Sequence, residues 1–325
     1  MKIHPVVDVL LALSISLSLR GQQVGQGAGE GGQSAPTTFK QEIEHKIALF
    51  EDAVRKNEAN HTADGKLGRL YSQLGLLYED VGLWGRSEFA FERAVSLFRQ
   101  DGTSNAELAT AIADMGAMHN AIGKMRESEK EEQEALEIRK TLHDELQVAR
   151  SLGDLAALSV AEQKYERARD FAQQALAEFS ADPKAQPFDL ITARYALALA
   201  YCHLKEYAQA IPLLAKAVED AKDKMQSQLT VGFGEFLLGY AYWRSGDLTS
   251  ASGHLEEGIA GMKLQLGWGH PSYLNALGYY AKFLRETGRV EMAKAAEHEI
   301  RRAETVVDVR SLGIRAAANG FDGLR

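Results

Sequence analysis

The residues with the most chemistry to offer are aromatic rings and cations set a few positions apart late in the chain: Tyr240, Trp243 and Arg244, then Tyr279, Lys282 and Arg285. Rings bury large areas and arginine grips carboxylates in pairs, so such a group suits a peptide that offers apolar anchors and a carboxylate. Catalysis has less to work with. Cys202 is the single cysteine, and His203 follows it. Adjacent helical residues point in different directions, so the two make a poor nucleophile–base pair, and a buried or groove-lining thiol is expected. The chain lacks His-Glu-x-x-His, Cys-x-x-Cys, Gly-x-Ser-x-Gly and Gly-Lys-Ser/Thr. The acidic run Glu127–Glu137 carries Lys130 and then Arg139 at helical spacing, which predicts a solvated helix face and no metal site. No catalytic, cofactor or metal residue is expected. A net charge of −8 argues against general nucleic-acid binding, and one cysteine allows no internal disulfide.

The elements that position these residues repeat every 40 to 42 residues. Small residues recur at Gly75, Gly116, Ala156, Ala198, Gly239 and Ala281, and twelve positions later at Ser87, Ser128, Ala168, Ala210, Ala251 and Ala293. Seven further on stand Ala94, Ala135, Ala175, Ala217 and Gly258, and then Ile300 breaks the series. Small groups let two helices cross closely. Large ones at spacings of three, four and seven fill the space around them. Between the helices lie turns, often with glycine, at Gly82, Gly123, Gly246 and Gly288. Trp84, Met125, Tyr165, Tyr207, Leu248 and Val290 then open each second helix as expected packing residues. Period-two alternation is absent, so no sheet is expected. The pattern predicts an all-α, right-handed solenoid of antiparallel helix pairs.

Tyr71, Leu74, Gly75, Tyr78, Ser87, Phe91 and Ala94 together resemble the tetratricopeptide repeat family. The period exceeds the roughly 34 residues usual there. Leu266-Gly267-Trp268-Gly269-His270-Pro271 resembles the linker of the longer, kinesin-light-chain type of repeat. Arg194 and Glu235 stand where that pattern wants a large residue, and Glu132 and Glu297 where it wants an aromatic. These departures are expected to weaken individual repeats. The resemblance implies that the first helix of each pair lines a concave groove. Its candidates in the first three repeats are Ser72, Leu76, Glu79, Asp114, Ala117, Arg150, Asp154 and Ala157, mainly small or acidic. The last three repeats contribute Tyr195, Leu199, Phe236, Tyr240, Trp243, Arg244, Tyr279, Lys282 and Arg285, aromatic and basic. The same rings also fit packing against a neighbouring helix or the C-terminal tail.

Residues 67–300 thus form six repeats, preceded over 38–66 by a capping half repeat with its stripe at Ile43, Ile47, Phe50 and Val54. Residues 1–20 read as a secretory signal, too short to span a bilayer, with a membrane-touching or disordered N-terminus as the rival reading. Residues 21–37 read as a Gly/Gln/Ser linker, and 301–325 as a tail that extends the last helix or caps the array. Asn60-His61-Thr62 fits a glycosylation triplet of low specificity. The function expected is a non-enzymatic scaffold, exported if the signal is cleaved, binding a partner protein or peptide in its groove. The alternative is a self-associating structural solenoid.

Overall fold

The computed structural model describes residues 39–59, 65–102, 105–225 and 227–303. The expected signal and linker, the glycosylation triplet and the tail after residue 303 lie outside them. The described chain is helical throughout. In order come α1 (Phe39–Ala59), α2 (Gly65–Asp80), α3 (Trp84–Asp101), α4 (Asn105–Ala121), α5 (Met125–Thr141), α6 (Glu145–Ala161) and α7 (Tyr165–Ala181). Then follow α8 (Pro187–His203), α9 (Tyr207–Asp220), a π-turn (Ala221–Met225), α10 (Gln228–Ser245), α11 (Leu248–Leu266), α12 (Pro271–Glu286) and α13 over residues 290–303. They form two compact units, α1–α7 up to Ala185 and α8–α13 from Gln186. No described helix is long and apolar enough to cross a membrane.

Each pair is held where the repeat is smallest. Ser87, Ala168, Ala210, Ala251 and Ala293 are fully buried, as are Ala94, Ala135, Ala175 and Ala217. Glycine is required where backbones nearly touch: a Cβ on Gly239 would lie 2.6 Å from the Leu255 amide, and one on Gly258 would lie 2.5 Å from that of Phe236. The turns follow one scheme in all six pairs. The amides of Leu83, Lys124, Lys164, Glu206, Asp247 and Arg289 donate to the carbonyls of Tyr78, His119, Ser159, Tyr201, Tyr242 and Leu284 at 2.8–3.0 Å. That bond closes a Schellman motif, and it asks nothing of the acceptor's side chain, which is why residue type varies there. Gly82, Gly123, Gly246 and Gly288 supply its left-handed residue, while Gln163 and Lys205 hold the same conformation at φ 61° and 63° without being glycine.

Two expectations need correction. Trp84, Leu248 and Val290 are exposed, because the first turn of a second helix sits at the edge of its pair. Glu132, in the acidic run, is buried against Gly116. Three of the four charged departures meet an oppositely charged or histidine partner. Arg194 meets Asp220 at 2.6 Å, and Glu235 accepts from Lys222 at 2.6 Å while meeting His254 at 2.5 Å. The π-turn after α9 carries Lys222 to that carboxylate. Glu297 takes Arg285 in a bidentate pair at 2.6 and 2.8 Å.

Candidate functional site

The C-terminal unit brings the expected rings together but admits only some of them to solvent. Tyr195 is 1% exposed: its hydroxyl donates to the Thr230 carbonyl at 3.0 Å, and Gly234 opposite has no side chain to obstruct it. Burial pushes that hydroxyl's pKa up. Phe236, 2% exposed, meets Tyr279 edge-on at 6.4 Å. Leu199 is buried as well. Trp243, 5% exposed, packs on Phe283 at 5.7 Å, and its indole N–H donates to Glu286 at 2.8 Å. Tyr195, Phe236 and Trp243 are therefore interior residues, because the next first helix closes over each ring. Arg285 is exposed but committed to Glu297, which raises its pKa.

What remains open is compact. Tyr240 and Tyr279 are half-buried with centroids 5.6 Å apart at 80°, a T-shaped pair. Tyr240 also meets Trp243 edge-on at 5.9 Å. Arg244 and Lys282, both exposed, hold their cations 5.5 and 6.0 Å from the Trp243 centroid. A hydrogen bond to Tyr207 raises the Arg244 pKa. Two rings and two cations thus share one surface over a rigid indole.

The candidate chemistry elsewhere is quiet. Cys202 is buried, and burial pushes its thiol up to about 12, far from reactivity at neutral pH. His119 is buried between Glu131, 2.8 Å from Nδ1, and Glu88, 3.1 Å from Nε2, with Lys124 also on Glu88. Burial raises the Glu131 pKa against the pull of His119, whereas Lys124 and His119 lower that of Glu88. No group of three or more metal-ligating side chains occurs among the described residues.

In the N-terminal unit the inner positions are of another kind. Ser72, Leu76, Asp114, Ala117, Arg150, Asp154 and Ala157 are half-buried, and Glu79 is buried. Asn120 was missed from the sequence. It follows Ala117 by three positions on the same face of α4, and that spacing was the available signal.

No family model matches the chain. Its fold is similar to that of BtubC (BKLC) from P. vanneervenii, at 18% identity over 69% of this chain and 92% of that one, TM-score 0.60. It is also similar to the apo form of RapI, at 15% identity over 83% and 94%, TM-score 0.66. A Rap protein complexed with competence and sporulation factor matches at 13% identity over 83% and 72%, TM-score 0.60. Similarities this low in identity establish the fold alone: an all-α array of helix pairs of the tetratricopeptide-like class.

Proposed function

We propose that this chain is a non-enzymatic interaction scaffold whose C-terminal unit holds a partner protein or peptide against Tyr240 and Tyr279. The observation that carries the reading is the half-open ring pair flanked by Arg244 and Lys282. An apolar side chain wedged at the rings and a carboxylate facing the cations would use both. The solved Rap complex with competence and sporulation factor supports it as an analogy, since a fold of this class there holds a partner.

The test compares affinity capture by the chain and by Tyr240→Ala/Tyr279→Ala, with circular dichroism on both. The expected result is a partner held by the first and lost by the second at equal helicity. Equal capture by both would remove the ring pair from the interaction. A chain that captures nothing and sediments as a large assembly would favour self-association.

A further inference from the structure

The junction between the first two helix pairs holds a histidine with a carboxylate on each side of its ring. His119 lies in the last turn of α4 and is buried. Its Nδ1 stands 2.8 Å from Glu131 of α5, and its Nε2 stands 3.1 Å from Glu88 of α3. A neutral imidazole has one N–H and one lone pair, and a lone pair at such a distance repels a carboxylate oxygen. Two carboxylates so placed ask for an N–H on both nitrogens, which only the imidazolium supplies. Imidazole is also the stronger base, with an ordinary value of about 6.5 against about 4.3 for glutamate, so the extra proton belongs to the ring.

The balance of charge gives the same answer. Lys124 donates to Glu88, its own amide being fixed on the His119 carbonyl at 2.8 Å. One lysine beside two carboxylates leaves one negative charge over, which an imidazolium offsets. The surroundings are mainly acidic. Glu92 of α3 and Glu127 act on Lys124, while Glu127 and Glu134 act on Glu131. Glu132 is buried against Gly116, one turn back on α4. The helices α2 and α6, which also pack on α4, bring Glu79, Arg150 and Asp154, and α4 itself bears Asp114.

The two contacts join different things. His119 and Glu131 belong to one pair, α4 with α5, whereas Glu88 belongs to the pair before it, α2 with α3. Their needs differ too. The Glu131 side chain is 13% exposed and takes its hydrogen bond from His119, whereas that of Glu88 is 31% exposed and keeps Lys124. A buried carboxylate is the costlier to abandon, so the one N–H of a neutral ring stays with Glu131 and the lone pair faces Glu88.

We propose that His119 is a proton-dependent clasp between the first two helix pairs. Protonated, the ring ties Glu88 of α3 to Glu131 of α5. On losing that proton it keeps Glu131 and releases Glu88, which loosens α3 against α4. Folding here retains a proton that the unfolded chain gives up above about pH 6.5. The stabilisation from the clasp is therefore complete below that value and is lost as pH rises through the ring's titration in the fold.

The experiment uses the full chain with nitrogen-labelled histidine. Nuclear magnetic resonance at pH 7.5 should show both His119 nitrogens protonated, the signal being identified by its loss in His119→Gln. Hydrogen exchange read by mass spectrometry, corrected for its intrinsic pH dependence, should be about tenfold faster in α3 and α4 at pH 9 than at pH 6, as one charge-assisted hydrogen bond is lost. The segment α7 serves as an unchanging reference. In Glu88→Gln the amide can donate to the lone pair of a neutral ring, so protection at pH 9 should persist and the pH response should flatten. His119→Gln should also be flat, since its amide does not titrate. Tyr240→Ala/Tyr279→Ala should respond to pH as the unaltered chain does, which keeps failure of the clasp distinct from failure of the ring-pair reading.

A neutral His119 ring at pH 7.5 overturns the proposal. So does exchange that is the same at pH 6 and pH 9. A pH response that survives in Glu88→Gln would overturn it by placing the response in other groups, and faster exchange confined to α5 would do so by opening the contact to Glu131 instead.

Discussion

The two units share a repeat and a turn but use their first helices in opposite ways. In the N-terminal unit the inner positions are mainly small or charged, and large side chains such as Phe91 and Phe98 lie between the helices of a pair, against Gly75 and Gly68. In the C-terminal unit the inner positions hold Tyr195, Phe236 and Trp243, and these too are buried. From Val231 to Gly239 every residue of α10 is buried. Such a helix has no broad polar face, which makes the C-terminal unit more like a small globular core than an open array. The lesson is that one repeat can serve either as a lining or as filling, depending on side-chain size at the inner positions.

The contrast is sharpest at the glycines. In the C-terminal unit Gly258 lies against the backbone of Phe236, whereas in the N-terminal unit Gly116 lies against the side chains of Glu131 and Glu132, the nearest at 3.1 Å. A side chain can give way by a few tenths of an ångström; a helix backbone cannot do so without separating the pair. Gly258→Ala is expected to cost about 4 kcal/mol and Gly116→Ala about 1 kcal/mol. Urea unfolding midpoints measure both. Equal costs would show that the two units pack with the same slack.

The rings give the next largest difference. Trp243→Ala removes a buried indole together with its bond to Glu286, and should cost about 3 kcal/mol. Tyr240→Ala trims a half-exposed ring and should cost about 1 kcal/mol. If Trp243→Ala instead left the melting temperature unchanged, the indole would be a lining residue after all.

That result bears on how much could be read from the sequence. The small residues at the crossings were legible because close approach permits little else, so Ala, Gly and Ser recur wherever two helices touch. The ends of the first helices were legible where glycine marks them. The fate of the rings was not. Spacing fixes the face a residue occupies on its own helix, but burial depends on what the next helix brings against that face. Tyr195 is interior because Gly234 lies opposite, and Arg285 is engaged because Glu297 replaces an aromatic on α13. Nor was the π-turn legible, since its purpose is visible only in the meeting of Lys222 with Glu235. For Asn120 the spacing was present, but its unfinished hydrogen bonding is a property of the packed unit.

A smaller effect separates one carboxylate in each unit by the sign of its response to acid. Glu131 and Glu235 each meet a histidine, at 2.8 and 2.5 Å. For Glu235 burial works to raise the pKa, but hydrogen bonds from His254 and Lys222 together outweigh it and hold the carboxyl below 4.5. Its stabilising contribution is complete above that value and is lost as pH falls through the lowered one. For Glu131 burial prevails over His119, and the carboxyl lies above 4.5. Ionised Glu131 therefore opposes folding above its raised pKa, and acidification toward 4.5 relieves that opposition. Stability measured from pH 7 down to pH 4 should lose an acid-favoured component in Glu131→Gln, and below that range an acid-labile one in Glu235→Gln. The same change of slope in both variants would refute the opposition.

The smallest effect tests what the units have in common. Gln163 in the N-terminal unit and Lys205 in the C-terminal unit occupy the left-handed turn position that glycine fills in the other four pairs. A side chain there crowds its own carbonyl, at a cost of about 1–2 kcal/mol, while glycine gives back part of the difference through its freer unfolded chain. Gln163→Gly and Lys205→Gly should each therefore stabilise by about 0.5 kcal/mol. The turn bonds at the two sites are the same length, 2.8 Å from Lys164 to Ser159 and from Glu206 to Tyr201, so the gains should match. A gain in one unit alone would mean that the turn is strained differently in the two halves. Matching gains would confine the difference between the units to the faces of their first helices, with the connecting turns alike in both.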